Sequence, residues 1–235
     1  MSSFSKKRKQ ENMKTLIIDT SSASASAAIF ESNQLLGEVT VHTALTHSQK
    51  LMPVVDAVLK QTELSINEID AYAVCEGPGS FTGVRIGLAA VKGFALPSDK
   101  PIYTYSSMML LASGVKAYPH HIIAVIDAKR SDVYYGIYHW EDEKLITIEE
   151  NVDGFEALIE RLNDVKGYEA AILIGDATQN YPEIADQWRG VLADQSLSIP
   201  RSGNLNLASI LEKNADNAFT AKANYMRKSQ AERDR

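Results

Sequence analysis

The sequence has a single cysteine, Cys75, in 235 residues. That excludes an intrachain disulfide framework and a metal site built on several thiolates. Cys75 lies in the apolar run AYAVC and reads as a small buried hydrophobe rather than a nucleophile. No apolar stretch reaches the roughly 18 residues that a bilayer span needs. The polar start MSSFSKKRKQEN lacks the apolar core of a secretory signal, so no membrane association and a cytoplasmic location are expected. There is no tandem repeat and no low-complexity linker. The glycines are not followed by the Lys-Ser/Thr of a phosphate-binding P-loop, and no His-Glu-x-x-His zinc motif occurs.

Hydrophobic residues make up 45% and charged residues 23% of the chain, the balance of an ordinary globular protein. The net charge is −6, unevenly spread: Lys6, Lys7, Arg8 and Lys9 against Glu11 give residues 1–12 a net +3 and leave −9 on the remainder. A body so acidic is poorly suited to hold a nucleic-acid backbone alone. Residues 1–12 read as a disordered basic leader, with Met13 before KTLIIDTS resembling a natural start.

Apolar periodicity predicts a strand over 14–19, a second ending near Phe30 and a third over QLLGEVTV, an antiparallel meander. A helix follows, with Thr46 as N-cap, Gln49 at the capping-box spacing, and Leu51, Val55 and Val58 on one face. DAYAVC is a strand, EGPGSFTG a loop, VRIGLAAVKGFAL a second helix and PIYTYSS a strand. A second mixed unit comprises a helix from Met108, strands over HIIAVIDAK, SDVYYGIYHW and EKLITIEE, the helix FEALIERLNDV, the strand AAILIGDA, and helices over 181–192 and 206–219. The order predicts an α/β duplication of the two-lobed actin-like, ribonuclease-H-like (ASKHA) kind. The expected division is a lobe over 13–107, completed by 213–235, and a smaller lobe over 108–212.

The run Gly77–Gly87 is the sharpest feature. A glycine-rich turn leading into a helix N-terminus suits an anion; it equally suits a turn whose glycines allow close backbone approach. Asp19, Gly79, Ser80 and Thr82 are the candidate residues of such a site, with Asp19 either a catalytic carboxylate or a hydrogen-bonded turn residue. The helix beyond has small residues at Gly83, Gly87, Ala90 and Gly93. Each helical glycine costs about 1 kcal/mol against alanine, so this face should pack closely, either within the fold or against a partner. Asp127, Lys129 and Arg130 cluster at a strand end, facing a cleft or forming a structural ion pair.

GPGSFTGVRIG resembles the signature of the bacterial TsaB (YeaZ) family. THSQKLMP, IDAKRSDVYYGIY and NYMRKSQAE resemble that family's other segments, in the same order, from Met13 to Glu232. The resemblance implies a non-catalytic subunit in tRNA threonylcarbamoyladenosine synthesis. Such a subunit would form a heterodimer with the catalytic paralogue TsaD, join the ATPase TsaE, meet tRNA through the complex, and leave a homodimer of the isolated chain open. It implies no catalytic residue, no metal and no cofactor on this chain, with ATP or ADP and metal in the partner subunits. The residues agree: Asp19-Thr20-Ser21-Ser22 lacks the phosphate-loop glycine of active relatives. Gly175-Asp176-Ala177 with Asn180 is a reduced adenosine motif, and His42 and His47 cannot copy a metal-binding pair one helical turn apart. The partner interface is expected at Gly83, Gly87, Ala90, Gly93, Leu51 and Val55. A small-molecule kinase and a glycoprotease-type peptidase are the competing readings; no Gly-x-Ser-x-Gly elbow surrounds Ser80.

Overall fold

The computed structural model describes residues 12–226; the expectations for residues 1–11 and 227–235 lie outside them. Strands β1 (Lys14–Asp19), β2 (Ser24–Glu31) and β3 (Gln34–His42) form the meander, and β4 (Ala71–Gly77) and β5 (Ile102–Ser106) join it in the order β3-β2-β1-β4-β5. β4 and β5 run parallel to β1. The second sheet repeats this plan. β6 (Ile122–Asp127), β7 (Asp132–Glu141) and β8 (Lys144–Gly154) are a meander, and β9 (Ile172–Ile174) and β10 (Val191–Leu192) lie parallel to β6 on its other side. Read from the meander edge, both sheets therefore have one strand order, which is the duplicated two-lobed actin-like, ribonuclease-H-like fold. No helix of the described residues is long and apolar enough to cross a membrane.

Three apolar layers hold the sheets. Helices α1 (His47–Gln61) and α2 (Phe81–Ala95) cover the outer face of the first sheet, burying Leu51, Val55, Val58, Val84 and Val91 against Leu16, Ile18 and Ile29. Helix α3 (Ser107–Ser113) contributes Met108 to Ala112 to a middle layer shared by Ile17, Phe30 and Ala73 of the first sheet and Ile122, Tyr138 and Ile174 of the second. Helix α4 (Phe155–Asn163) closes the far side with Phe155, Leu158 and Leu162.

Local chemistry sets the helix ends. Thr46 and Gln49 form the capping box at the start of α1. Ser80 caps α2 by accepting the Gly83 N–H at 3.1 Å. This cap starts α2 at Phe81, three residues ahead of the Val84 start expected from the glycine-rich loop. A short α5 (Ala177–Asn180) follows β9, and the helix expected over 181–192 is instead the short α6 (Pro182–Ala185) and β10. The cause lies at Gly190, where a Cβ would stand 2.4 Å from the Ala171 carbonyl. That carbonyl takes the Val191 N–H at 2.9 Å, so the chain leaves as a strand. The helix expected over 206–219 is reduced to α7 (Leu207–Leu211). Asp216 exchanges two backbone hydrogen bonds with Ile102, and Asn217 bends the chain by accepting the N–H groups of Phe219 and Thr220. Ala221 then enters the core under α1 and α2.

A polar latch ties the segment 201–203 to the first sheet. Glu38 of β3 accepts Arg201 Nη2 at 3.0 Å, the Gly203 N–H at 3.2 Å and the Thr40 hydroxyl at 3.0 Å. Beside it, the Ser202 N–H donates to Ser26 Oγ at 2.8 Å.

Candidate functional site

β1 ends at Asp19, and the turn Thr20-Ser21-Ser22 follows it. Asp19 is 0% exposed. The Ser21 N–H donates to Oδ1 at 3.2 Å, and the Ser21 hydroxyl lies 3.1 Å from both carboxylate oxygens. Burial raises the Asp19 carboxyl to about 6, outweighing the hydrogen bonds from Ser21 and from the Cys75 thiol that oppose it. The Cys75 thiol is itself pushed well up by burial and by the Asp19 charge. Cys75 is thus the buried, unreactive hydrophobe that its context predicts.

The glycine-rich loop is pressed onto this turn. The Ser80 N–H donates to the Ser21 carbonyl at 2.7 Å. Gly79 has φ 144°, and a Cβ there would lie 2.3 Å from that same carbonyl oxygen. One turn into α2, a Cβ on Gly83 would lie 1.9 Å from the Thr20 carbonyl oxygen, and the Thr20 hydroxyl donates to the Gly83 carbonyl at 2.7 Å. At Gly87 a Cβ would meet Thr20 Oγ1 at 2.6 Å. The glycines serve close approach between α2 and the end of β1, the packing alternative.

Four residues expected at a partner interface are therefore not there. Gly83 and Gly87 are buried against Thr20, and Leu51 and Val55 are buried in the first lobe. Their apolar face points to the sheet because the sheet offers the larger apolar surface. Ala90 is half-buried, and only Gly93 is open, with no atom within 4 Å of a Cβ placed on it. What α1 and α2 turn outward is Met52, 44% exposed, with Pro53, Ala89 and Gly93, flanked by Leu45 and Leu96, each 55% exposed. The heptad-like spacing of Leu51, Val55 and Val58 was the available signal: it marks one inward apolar face, with Met52 beside it and exposed.

A cleft of about 560 Å³ separates the lobes. Ser21, Gly79, Ser80 and Phe81 line one wall; Asp127, Lys129, Asp176 and Ser198 line the other. Exposed Thr82 is not among its lining residues. Asp19 lies beneath the turn and does not line it either. Asp127 occupies the place in the second sheet that Asp19 has in the first. Asp127 and Lys129 face the cleft, and Lys129 Nζ pairs with Asp127 Oδ2 at 2.6 Å, the structural ion pair expected; Arg130 is not among the cleft-lining residues. Tyr181 and Asn180 also donate to Asp127, at 3.0 and 3.1 Å. Burial pushes the Asp127 carboxyl up, but these bonds, led by Lys129, outweigh it and hold the group below its usual range. The Asp127 N–H donates to Asp176 Oδ1 at 2.9 Å, and burial raises the Asp176 carboxyl. Gly175 repeats the device of Gly79: its φ is 132°, and a Cβ would stand 1.9 Å from the Val125 carbonyl oxygen.

Lys129, Arg130 and Ser131 have φ of 68°, 61° and 60°. Left-handed backbone costs roughly 1–2 kcal/mol per non-glycine residue. The turn is held by Asp127 Oδ1, which accepts the Lys129 N–H at 2.7 Å, and by the Phe155 N–H, which donates to the Ser131 carbonyl at 2.8 Å.

Where a glycine would admit a phosphate, the Ser21 carbonyl already engages Ser80, and the carboxylate of Asp19 is sealed behind Ser21. Among the described residues no group of three His, Cys, Asp or Glu side chains converges as metal ligands would.

Comparison with known proteins matches residues 32–233 to the family model described as TsaD, tRNA N6-adenosine threonylcarbamoyltransferase. The tRNA threonylcarbamoyladenosine biosynthesis protein TsaB of Escherichia coli K12 is 30% identical over 206 residues, covering 82% of this chain and 84% of the relative. The protein of the same name from Bacillus subtilis is 28% identical over 228 residues, covering 94% and 96%. The crystal structure of an uncharacterized Pseudomonas aeruginosa protein with similarity to peptidase YEAZ superposes with a TM-score of 0.76 at 25% identity, covering 92% of this chain and 100% of the other.

Proposed function

This chain belongs to the TsaB (YeaZ) family, and on that premise we propose that it acts as a non-catalytic subunit that binds and activates the threonylcarbamoyl-transferring paralogue TsaD, together with TsaE. Its role lies in tRNA threonylcarbamoyladenosine biosynthesis. The observation that carries the non-catalytic reading is the sealed Asp19. A general base or metal-binding carboxylate must come within about 3 Å of substrate or metal. Asp19 is 0% exposed, and its oxygens are engaged by Ser21. The sealed turn equally disfavours a kinase. Ser80, the remaining nucleophile candidate of a peptidase, spends its hydroxyl on the Gly83 N–H.

Partner binding falls to the outer face of α1 and α2. Met52 and Pro53 give it an apolar centre flanked by Leu45 and Leu96, and Ala89 and Gly93 let another helix approach closely. A second copy of the chain meeting the same face would account for a homodimer in isolation. ATP or ADP and metal then belong to the partner subunits, and tRNA is met by the assembly.

Reconstitution tests this reading. Modification of tRNA by TsaD, TsaE and the threonylcarbamoyl adenylate is expected to require this chain. The chain alone is expected to give no heat with ATP at submillimolar concentration. Modification at full rate in its absence contradicts the reading. Met52→Asp with Leu96→Asp is expected to weaken association with TsaD by roughly tenfold or more. Its thermal midpoint should stay near that of the unmodified chain, because both side chains are exposed. Unchanged association in a calorimetric titration removes this face from the interface.

A further inference from the structure

Phe81 and Tyr225 stack with ring centroids 5.0 Å apart and planes 7° from parallel. Arg85, one helical turn beyond Phe81, lies 6.0 and 5.5 Å from the two centroids and donates its Nε–H to the Tyr225 hydroxyl at 2.8 Å. The Asn224 N–H donates to the Glu76 carbonyl at 2.8 Å, which fixes the tyrosine beside the glycine-rich loop. Tyr225 is nonetheless 46% exposed. None of these residues belongs to the hydrophobic core clusters.

The platform stands at the mouth of the interlobe cleft. Phe81 lines the cleft, and Tyr134 lines both the cleft and the crevice beneath Tyr225. On the opposite lobe stands the left-handed turn at Lys129 and Arg130, both exposed. Three residues held in an unfavoured conformation by bonds from Asp127 and Phe155 are the kind of strain that persists where a surface is shaped for contact. The cleft mouth therefore sets flat aromatic rings and a planar guanidinium on one lip, while the other lobe presents Lys129, paired with Asp127, and the exposed Arg130 beside it. It does so on a chain whose remainder beyond residue 12 carries −9.

We propose that this mouth receives a single-stranded RNA loop, with an unstacked base on the Phe81–Tyr225–Arg85 platform and a flanking phosphate at Arg130. The inference rests on the functional reading above, in which tRNA is the substrate of the assembly. Aromatic rings and arginine planes take the π-face of any base, and such faces are offered by loops rather than by duplex. An acidic protein segment would satisfy the cations but leave the ring platform without use. Phosphate contacts matter more here than on a basic protein, because the surrounding charge repels RNA. Asp127 does not oppose them, since Lys129 neutralises it.

The test uses the assembly of this chain with its catalytic partner, titrated with a fluorescent anticodon stem-loop RNA. Tyr225→Ala is expected to weaken RNA binding about tenfold, with Tyr225→Phe close to the unmodified chain. Arg130→Glu, confined to an exposed turn, is expected to weaken it and to lower the steepness of the salt dependence by about 1. Association between the two proteins should be unchanged in all three. RNA affinity unchanged in Tyr225→Ala and Arg130→Glu, with association intact, overturns the inference and leaves the functional reading standing. Weakened association with unchanged RNA binding overturns it in favour of a protein segment. An unmodified assembly that does not bind the stem-loop overturns both.

Discussion

Gly83→Ala is expected to cost about 3–5 kcal/mol of folding stability, the range of severe core lesions. The added Cβ would stand 1.9 Å from the Thr20 carbonyl oxygen. That oxygen is backbone, at the end of a central strand, and Thr20 is pinned from its other side by the bond from its hydroxyl to the Gly83 carbonyl. Neither partner can rotate away, so α2 must lift from the sheet and loosen Val84, Leu88 and Val91 in the core beneath it. A domain holds roughly 5–15 kcal/mol in all. Gly93→Ala in the same helix meets nothing within 4 Å and should gain up to about 1 kcal/mol. Urea midpoints of the two variants decide the matter; a loss below about 1 kcal/mol for Gly83→Ala contradicts the close-packing account. By the same argument Gly87→Leu, which on sequence grounds should impair association and spare the fold, is expected to destabilise the fold itself. Its Cβ already lies 2.6 Å from Thr20 Oγ1.

Asp19→Asn is expected to act in the opposite direction. The Asp19 carboxyl titrates near 6 in the native chain against an ordinary 3.8. Between those values the folded protein retains a proton that the unfolded chain has released. This group's contribution therefore falls as pH rises through that window, and the penalty is complete above about pH 6. At 1.36 kcal/mol per unit it amounts to about 3 kcal/mol. Asparagine carries no charge to desolvate, and its amide oxygen still accepts the Ser21 N–H. The variant should thus be more stable than the unmodified chain by about 3 kcal/mol at pH 7.5, with the difference shrinking toward zero near pH 4. Asp127, Glu68 and Asp194 have lowered pKa values and lose stability as pH falls, so the quantity to follow is the difference between the two chains. A variant less stable than the parent at pH 7.5 refutes the burial argument and gives the ionised carboxylate a structural role.

These two residues also mark how far the sequence can be read. The meander, the Thr46–Gln49 box and the duplicated order were legible, because each is written in neighbouring residues. The small-residue face of α2 was legible as a close contact, but not its destination. Helical periodicity names the residues that share a face and leaves open what lies opposite, and Thr20 is remote from Gly83 in the chain. Apolar residues at Leu51 and Val55 gave the same ambiguity, and burial resolved it inward, leaving Met52 and Leu96 as the surface. The segment 181–192 carries helix-compatible residues, yet the contact between Gly190 and Ala171 decides its shape. The stack of Phe81 on Tyr225 was invisible for the same reason: it joins a loop near the first third of the chain to its far end.

The latch at Glu38 bears on how the chain transmits anything at all. Two lobes about a cleft can in general open and close by hinge motion. Here any movement of the 201–203 segment away from the first sheet would strip a largely buried carboxylate, 10% exposed, of Arg201 and Gly203 at once and take the Ser202 N–H from Ser26. The segment 201–203 and the meander edge of the first sheet therefore move together, and a displacement of one carries the other.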